Sequence, residues 1–559
     1  MRRPLATVFL TSVLVFSVLA PSVPWTLAQR KARTSKATPA SLASQRAADT
    51  ISAAELKDYL SFIASDEMEG RDTPSRGLDT TARFLTMNLS RWGFKPAGDD
   101  GGYFQKIALS RDVIDKAETR AQLNNQSLSL GDDYIPIVRP GEVAASQMVF
   151  AGNGWLVRSK EIDAYKGIDA KGKIAVIFGS PNGTPPGIRN SDLTGKRGED
   201  WMNASEYAQK QGVAGIVFVP DFQYLANWDR NRTRMTERGL TRVDKFQPPA
   251  GAQIPQIVIS PRVANVLLQG ERKNATSIFE AVYGGQPLES FGLNPDKKLS
   301  IVIRVKSEPA KTQNVVAVFE GSDPVLKNEY VALGAHYDHV GVGIPVNGDS
   351  IYNGADDDGS GTTALLGIAE ALTKAGMRPK RSVLFVWHAG EEKGLWGSRY
   401  FTMYPTIPLD KIVTQINIDM IGRSKKEGDD NPRNRELSGP NEIYVIGSKM
   451  MSTELGELTD TVNKQYLNLT YDYRYDDPSD PNRFFSRSDH YNYARKGIPI
   501  VFFFDGEHED YHRPGDSVDK IDFQKMEKVT RTIYMTLWEI ASRPTRPKVD
   551  RQLAPDFTP

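Results

Sequence analysis

Apolar positions recur along this chain with two different periods. Ser52-Ala53-Ala54-Glu55 has the form of a capping box and opens a helix carrying Leu56, Leu60 and Ile63. A second helix carries Leu78, Ala82, Leu85, Leu89 and Trp92 at helical spacing, with Gly93 as its stop. Glu69-Gly70-Arg71, between the two, reads as a polar turn. From about 130 to 288 the texture changes to short β-branched runs, such as Ile174-Ala175-Val176-Ile177-Phe178 and Gly215-Ile216-Val217-Phe218-Val219, separated by Gly, Pro and Asn turns. One helix is predicted there, near 206–211. Asn314-Val315-Val316-Ala317-Val318-Phe319 starts a third stretch, in which apolar strands at 331–335, 382–387, 411–418 and 499–504 alternate with helices near 359–375, 394–403 and 520–540. Continuously apolar strands with helices between them indicate an α/β fold with a mainly parallel central sheet and helices on both faces. The predicted division is one α/β domain built from residues 46–130 and 290–545, interrupted by a β-rich insertion at 131–289 and followed by a tail at 546–559.

Length supports more than one unit, because 559 residues exceed the size at which a single core keeps growing. The net charge of +1 gives no electrostatic footprint for nucleic acid or an anionic membrane. Arg2 and Arg3 before an apolar run at 8–19, then Thr26-Leu27-Ala28 ahead of Gln29, have the layout of a secretory signal peptide over residues 1–28. The run is short for a bilayer span, so the expectation is export with no stable membrane insertion afterwards. Residues 29–50 lack periodicity and read as a flexible leader. With no Cys there are no disulfides, and an exported protein of this kind depends on packing and metal for robustness.

The chemistry is concentrated. The chain has 6 His, and none lies in the first 335 residues. They fall among acidic segments: His336-Tyr337-Asp338, Gly354-Ala355-Asp356-Asp357-Asp358-Gly359-Ser360-Gly361, Gly390-Glu391-Glu392-Lys393-Gly394, Asn417-Ile418-Asp419 and Asp510-Tyr511-His512. Imidazole and carboxylate are the ligands that suit Zn²⁺ where no thiolate exists. His336, Glu391, Glu392 and Asp419 each follow a predicted strand, and His512 lies one short loop beyond another. That edge is where open α/β sheets bind ligands. Asp338 is placed to orient the His336 ring. A carboxylate in the glycine-framed Asp356-Asp357-Asp358 turn can bridge two cations. Glu391 and Glu392, as neighbours, point different ways, so one can hold metal while the other faces a water.

In that order the motifs resemble the co-catalytic zinc aminopeptidase family, which includes bacterial leucyl aminopeptidases, glutamate carboxypeptidase and the inert transferrin receptor. The resemblance implies two Zn²⁺ per chain, with His336 and Asp419 on one, Glu392 and His512 on the other, and Asp357 bridging. It gives Glu391 the role of general base and Tyr511 that of a hydroxyl facing the oxyanion, and it implies a cis peptide at Asp357–Asp358. Residues 131–289, with Gln209-Lys210-Gln211-Gly212-Val213-Ala214-Gly215, resemble a protease-associated domain. His339, His388, His490 and His508 are expected behind the ligands or in the core, with Ser488-Asp489-His490 nearest the site and Asp489 and His490 as supporting residues. Peptides or proteins are the implied substrates, and aminopeptidase action comes first because no Arg cluster accompanies the metal motifs. A carboxypeptidase, a one-zinc glutaminyl cyclase and a receptor-like binding protein are the alternatives; the receptor predicts broken ligand motifs, and here they are complete.

Overall fold

The computed structural model describes residues 39–559, apart from 182, 190–191, 248–253, 555–556 and 558–559. The expected signal peptide, and the leader up to residue 38, lie outside the described residues. The rest of the leader departs from expectation: Pro39–Ala48 is a helix that packs on the helix Phe523–Ser542, with Ala47 and Ala48 buried. Among the described residues, no helix is long and apolar enough to cross a membrane.

A mixed ten-stranded sheet forms the centre. Four strands at its middle are mutually parallel: Ser382–His388, Tyr330–His336, Ile412–Ile418 and Ile500–Phe504, in that spatial order. Every residue of three of them is buried, and so is all of Tyr330–His336 except Tyr330, as strands covered on both faces require; in Ile412–Ile418 this includes the polar Thr414, Gln415 and Asn417. Antiparallel strands flank this block. Val305–Phe319 pairs with Ser382–His388 on one side and along eleven residues with Phe104–Ile114 on the other. Glu442–Ile446 runs antiparallel to Ile500–Phe504 at the opposite edge.

One face of the sheet is covered by helices Ala53–Ile63, Arg76–Arg91, Gly361–Lys374 and Phe523–Ser542, whose apolar stripes meet Val331, Leu333, Phe385 and Trp387 in one core. The other face is packed by Phe401, Tyr493 and Phe484 around Val386, Ile446 and Phe502. The first helix is capped by Ser52, which accepts from the Glu55 N–H at 3.2 Å. Only half of the expected capping box forms, since Glu55 reaches Lys374 at 3.4 Å instead. Gly93, past the end of the second helix, takes φ +75, the left-handed conformation in which a helix commonly stops.

Residues 120–303 build further sheets whose strands extend beyond 131 and 289 on both sides: Arg120–Leu123 and Gly141–Ser146 flank Leu299–Ile303. Ile174–Phe178 and Gly215–Val219 pair in parallel within a six-stranded sheet, and Ala204–Lys210 is the predicted helix, closed by a full capping box between Asn203 and Glu206. Leu240–Val243 leaves this group and joins the edge of the central sheet beside Phe104–Ile114.

Candidate metal centre

The carboxyl ends of the four parallel strands gather the acidic and histidine segments. Two groups of ligand atoms form there, each with its atoms within 4.8 Å of one another: His336, Asp357 and Asp419; and His339, Asp357, Glu392 and His512. Asp357 belongs to both. In the first group His336 Nε2 lies 3.2 Å from Asp357 Oδ1 and 3.6 Å from Asp419 Oδ1. In the second, His512 Nε2 is 3.1 Å from Asp357 Oδ2 and 3.0 Å from Glu392 Oε2, while His339 Nδ1 is 2.8 Å from Glu392 Oε1.

The turn that presents Asp357 gives each of its three aspartates a separate task. Asp358 accepts from the backbone N–H groups of His336, Gly361 and Met420 at 2.9–3.2 Å, tying the turn to two strand ends. Asp356 accepts from Gly422 N at 2.7 Å. Asp516 accepts from the N–H groups of Asp356 and Asp357 at 3.1 Å, so the segment following His512 holds the turn from behind. Asp357 alone turns its carboxylate to the ligand groups, and the Asp357–Asp358 peptide is cis. His512 adopts left-handed backbone (φ 53), the kind of sparsely populated conformation found where function constrains the chain.

Arg71, read from sequence as part of a polar turn, is fully buried under these loops. Its guanidinium donates to the carbonyls of Tyr337, Ile63, Asn353 and Gly354 at 2.7–3.0 Å, joining the loop after His336 to the one before Asp357. Burial pulls it down to about 10, against the opposing pull of Asp338 and Asp516.

The supporting residues sort differently from expectation. His336 Nδ1 meets the main-chain carbonyl of Asp338 at 3.1 Å, and the Asp338 carboxylate, at 3.7 Å, accepts instead from Glu391 N at 3.1 Å. Asp338 therefore ties the two strand-end loops together, and its backbone orients the ring. Asp489 faces His388 at 3.3 Å rather than a ligand. His490 is apart from both groups: its Nε2 meets Phe485 O at 2.8 Å and its ring stacks on Phe502 at 4.4 Å. Burial drives its pKa down to about 3. Their neighbour Ser488 makes the contact, donating to Asp419 Oδ2 at 2.6 Å while accepting from Asn417. Glu391 belongs to neither ligand group and lines a cleft with His336, Asp357, Asp419 and Tyr511. The Tyr511 ring stacks on His512 at 3.9 Å. Aromatic Phe484, Phe502 and Phe504 close the far side.

Charge sets the electrostatics. Burial alone would raise Asp357, yet His339, His336 and His512 hold it well below the ordinary carboxylate range. Burial and Asp357 likewise oppose the lowering of Glu392, but His339 and His512 bring it to about 2. Burial pushes Glu391 well above its usual range; His336 opposes this, and Glu392 and Asp419 add to it. The donor set fits divalent metal. Asp357, Asp419, Glu391 and Glu392 bring a formal charge of about −4, which two dications would cancel, and metal takes carboxylates charged and imidazoles neutral. Asp357 Oδ2, Glu392 Oε1, both His339 nitrogens and His512 Nε2 are buried without a hydrogen-bond partner. Polar atoms left so are costly unless something else satisfies them.

Comparison with known proteins agrees with this geometry. Residues 314–537, which carry every candidate ligand, match the model of Peptidase family M28. The chain is 28% identical over 285 residues to leucine aminopeptidase 2 of Trichophyton rubrum, covering 46% of this chain and 51% of that protein. It is 32% identical over 228 residues to a probable leucine aminopeptidase 2 of Aspergillus oryzae, covering 40% of this chain and 39% of that one. It thus spans about half or less of the length of these relatives. An aminopeptidase from Aneurinibacillus sp. strain AM-1 shares the fold, with a TM-score of 0.53 at 14% identity over 91% of this chain and 98% of that one.

Proposed function

We propose that this protein is an exported zinc-dependent aminopeptidase that removes N-terminal residues from peptides. The observation that carries the reading is one aspartate, Asp357, shared by two ligand groups beside a carboxylate, Glu391, that belongs to neither and faces the cleft. His336, Asp357 and Asp419 would hold one Zn²⁺, and Asp357, Glu392 and His512 the other. Held there, two such ions would supply Lewis-acid chemistry, lowering the pKa of water toward ~7 and offsetting negative charge on the substrate. Glu391 accepts the proton of the attacking water and hands it to the leaving amine. The Tyr511 hydroxyl donates to the carbonyl oxygen as it becomes anionic. Asp338, through the Glu391 N–H, fixes the loop that carries the base.

Substrate polarity favours an amine over a carboxylate at the cleft. Arg487 is the one arginine lining it, and its guanidinium pairs with Glu507 at 2.6 Å, so it offers no free cationic anchor for a C-terminal carboxylate. Phe484, Phe502, Phe504 and Met420 give the cleft an apolar wall suited to an apolar side chain. The same reading makes residues 131–289 a protease-associated unit, supported by the parallel strands and helices there, and rests export on the sequence of residues 1–28. The test is a panel of aminoacyl anilides with and without chelator and added zinc. Chelator-sensitive release from free-amine substrates is the expected result. Activity only on C-terminally free, N-blocked peptides would replace it with a carboxypeptidase, and only cyclisation of N-terminal Gln with a cyclase.

A further inference from the structure

We propose that His339 is a fourth protein ligand to the cation held by Asp357, Glu392 and His512, which makes the two metal positions unequal: one closed and tightly held, the other open to substrate. This rests on the two-zinc reading above and goes beyond its ligand set.

His339 is fully buried, and neither ring nitrogen has a hydrogen-bond partner. His490 and His388, also buried, each have one ring nitrogen bonded, His490 Nε2 to Phe485 O at 2.8 Å and His388 Nε2 to the Tyr493 hydroxyl at 3.0 Å, and one without a partner. His508 also lacks a hydrogen bond, but it faces one carboxylate, Asp356 at 3.4 Å, and joins no ligand group. His339 Nδ1 faces Glu392 Oε1 at 2.8 Å and Asp357 Oδ2 at 3.7 Å, and those two oxygens are themselves without a hydrogen-bond partner. Close approach without hydrogen-bond geometry is what lone pairs converging on a shared cation produce. The backbone makes room for the ring: a Cβ on Gly354, which sits at φ +60, would lie 2.5 Å from His339 Cγ. Arg71 O accepts from the His339 N–H at 3.2 Å and fixes the loop.

The counts then differ. Four protein ligands, His339, Asp357, Glu392 and His512, match a closed zinc site, whereas three, His336, Asp357 and Asp419, match a site that keeps a position free for chemistry. The cleft agrees with this division. His336, Asp357 and Asp419 all line it together with Glu391, and of the other group His339 is fully buried while His512 is 37% exposed.

The experiment is equilibrium zinc binding by the full-length protein against a graded chelator, with zinc per chain counted by native mass spectrometry and folding checked by circular dichroism of each metal-free form. Wild type should bind two zinc ions with constants at least ~10-fold apart, and His336→Ala should keep the tight one. His339→Ala and His339→Asn should weaken the tight constant by about 10-fold or more, since removing even a group that only orients a ligand costs 10–100-fold. Two equal constants in wild type would overturn the asymmetry without touching the two-zinc reading, as would an unchanged tight constant in a folded His339 variant. Wild type that binds no zinc would overturn both.

Discussion

Two sets of parallel strands in this molecule end in very different ways. In the six-stranded sheet, Met148–Phe150, Ile174–Phe178, Gly215–Val219 and Gln256–Ile259 are parallel, as the four middle strands of the central sheet are. Among the described residues, no carboxylate at their carboxyl ends is buried without a partner. Asp221 accepts from Tyr224 N and from Ser180 Oγ, both at 2.8 Å, and Ser260 accepts from Val263 N, so both act as helix caps. At the carboxyl ends of the central strands, buried carboxylate and imidazole atoms converge without hydrogen-bond partners. Among the described residues, both candidate ligand groups lie at the central edge. Parallel architecture fixes where a site can form; converging carboxylate and imidazole atoms left unsatisfied mark the candidate site.

Removing the proposed base should sharpen that contrast most. Glu391→Gln keeps shape and spares both ligand groups, so turnover should fall by ~10²–10⁴ while zinc content and melting temperature stay near wild type. Glu392→Gln should instead lose zinc along with activity. Metal analysis beside initial rates distinguishes the two, and a fully active Glu391→Gln would break the assignment of roles.

Arg71→Ala is next, with its effect on folding. It strands four buried carbonyls that one guanidinium now satisfies, so denaturant titration should show a loss of about 3–5 kcal/mol. A change under ~1 kcal/mol would mean that water replaces the side chain easily and that the loops under the site stand without it.

His490 gives a smaller effect, confined to acid. Its pKa is about 3 in the folded chain against an ordinary 6.5, so between those values the unfolded chain binds more protons. Stability from keeping this imidazole neutral is full above about 6.5 and is lost as pH falls toward 3. His490→Asn should flatten that part of the stability–pH curve without changing zinc stoichiometry at neutral pH. An unchanged acid limb would contradict the buried, neutral assignment.

Asp221→Ala, at the other set of strand ends, should do least. Loss of the cap costs about 1 kcal/mol, and both turnover and bound zinc should be unchanged. Altered zinc binding there would erase the distinction between the two edges.

Much of this was legible before the structure. Three of the four middle strands are near-continuous apolar runs, and Ile412–Ile418 keeps Ile and Val around Thr414, Gln415 and Asn417, so length and flanking turns place them within a residue or two. The proposed ligands His336, Glu392 and Asp419, and the proposed base Glu391, stand where those runs stop. Long-range pairing was not legible. Phe104–Ile114 alternates buried and exposed positions and finds its partner some 200 residues on in Val305–Phe319, which no local period reveals. Arg71 looks like surface in sequence because charge usually is; its burial depends on carbonyls from the nearby Ile63 and from two distant segments, at Tyr337 and at Asn353–Gly354, meeting at one guanidinium. His339 was expected behind the ligands or in the core; its place in the second ligand group was not legible, because the direction of a ring in a strand-end loop depends on backbone turns, here on Arg71 O and on the space left by Gly354. The helix at Pro39–Ala48 lacks a strong apolar stripe and is held by tertiary contact.

The central claim is that the edge of the central sheet holds two cations through one shared aspartate. Zinc counting on purified wild type and Asp357→Asn tests it directly. Near two zinc ions per chain are expected in wild type and fewer than one in the variant, with folding retained. Near zero in wild type, or two in Asp357→Asn, would contradict it.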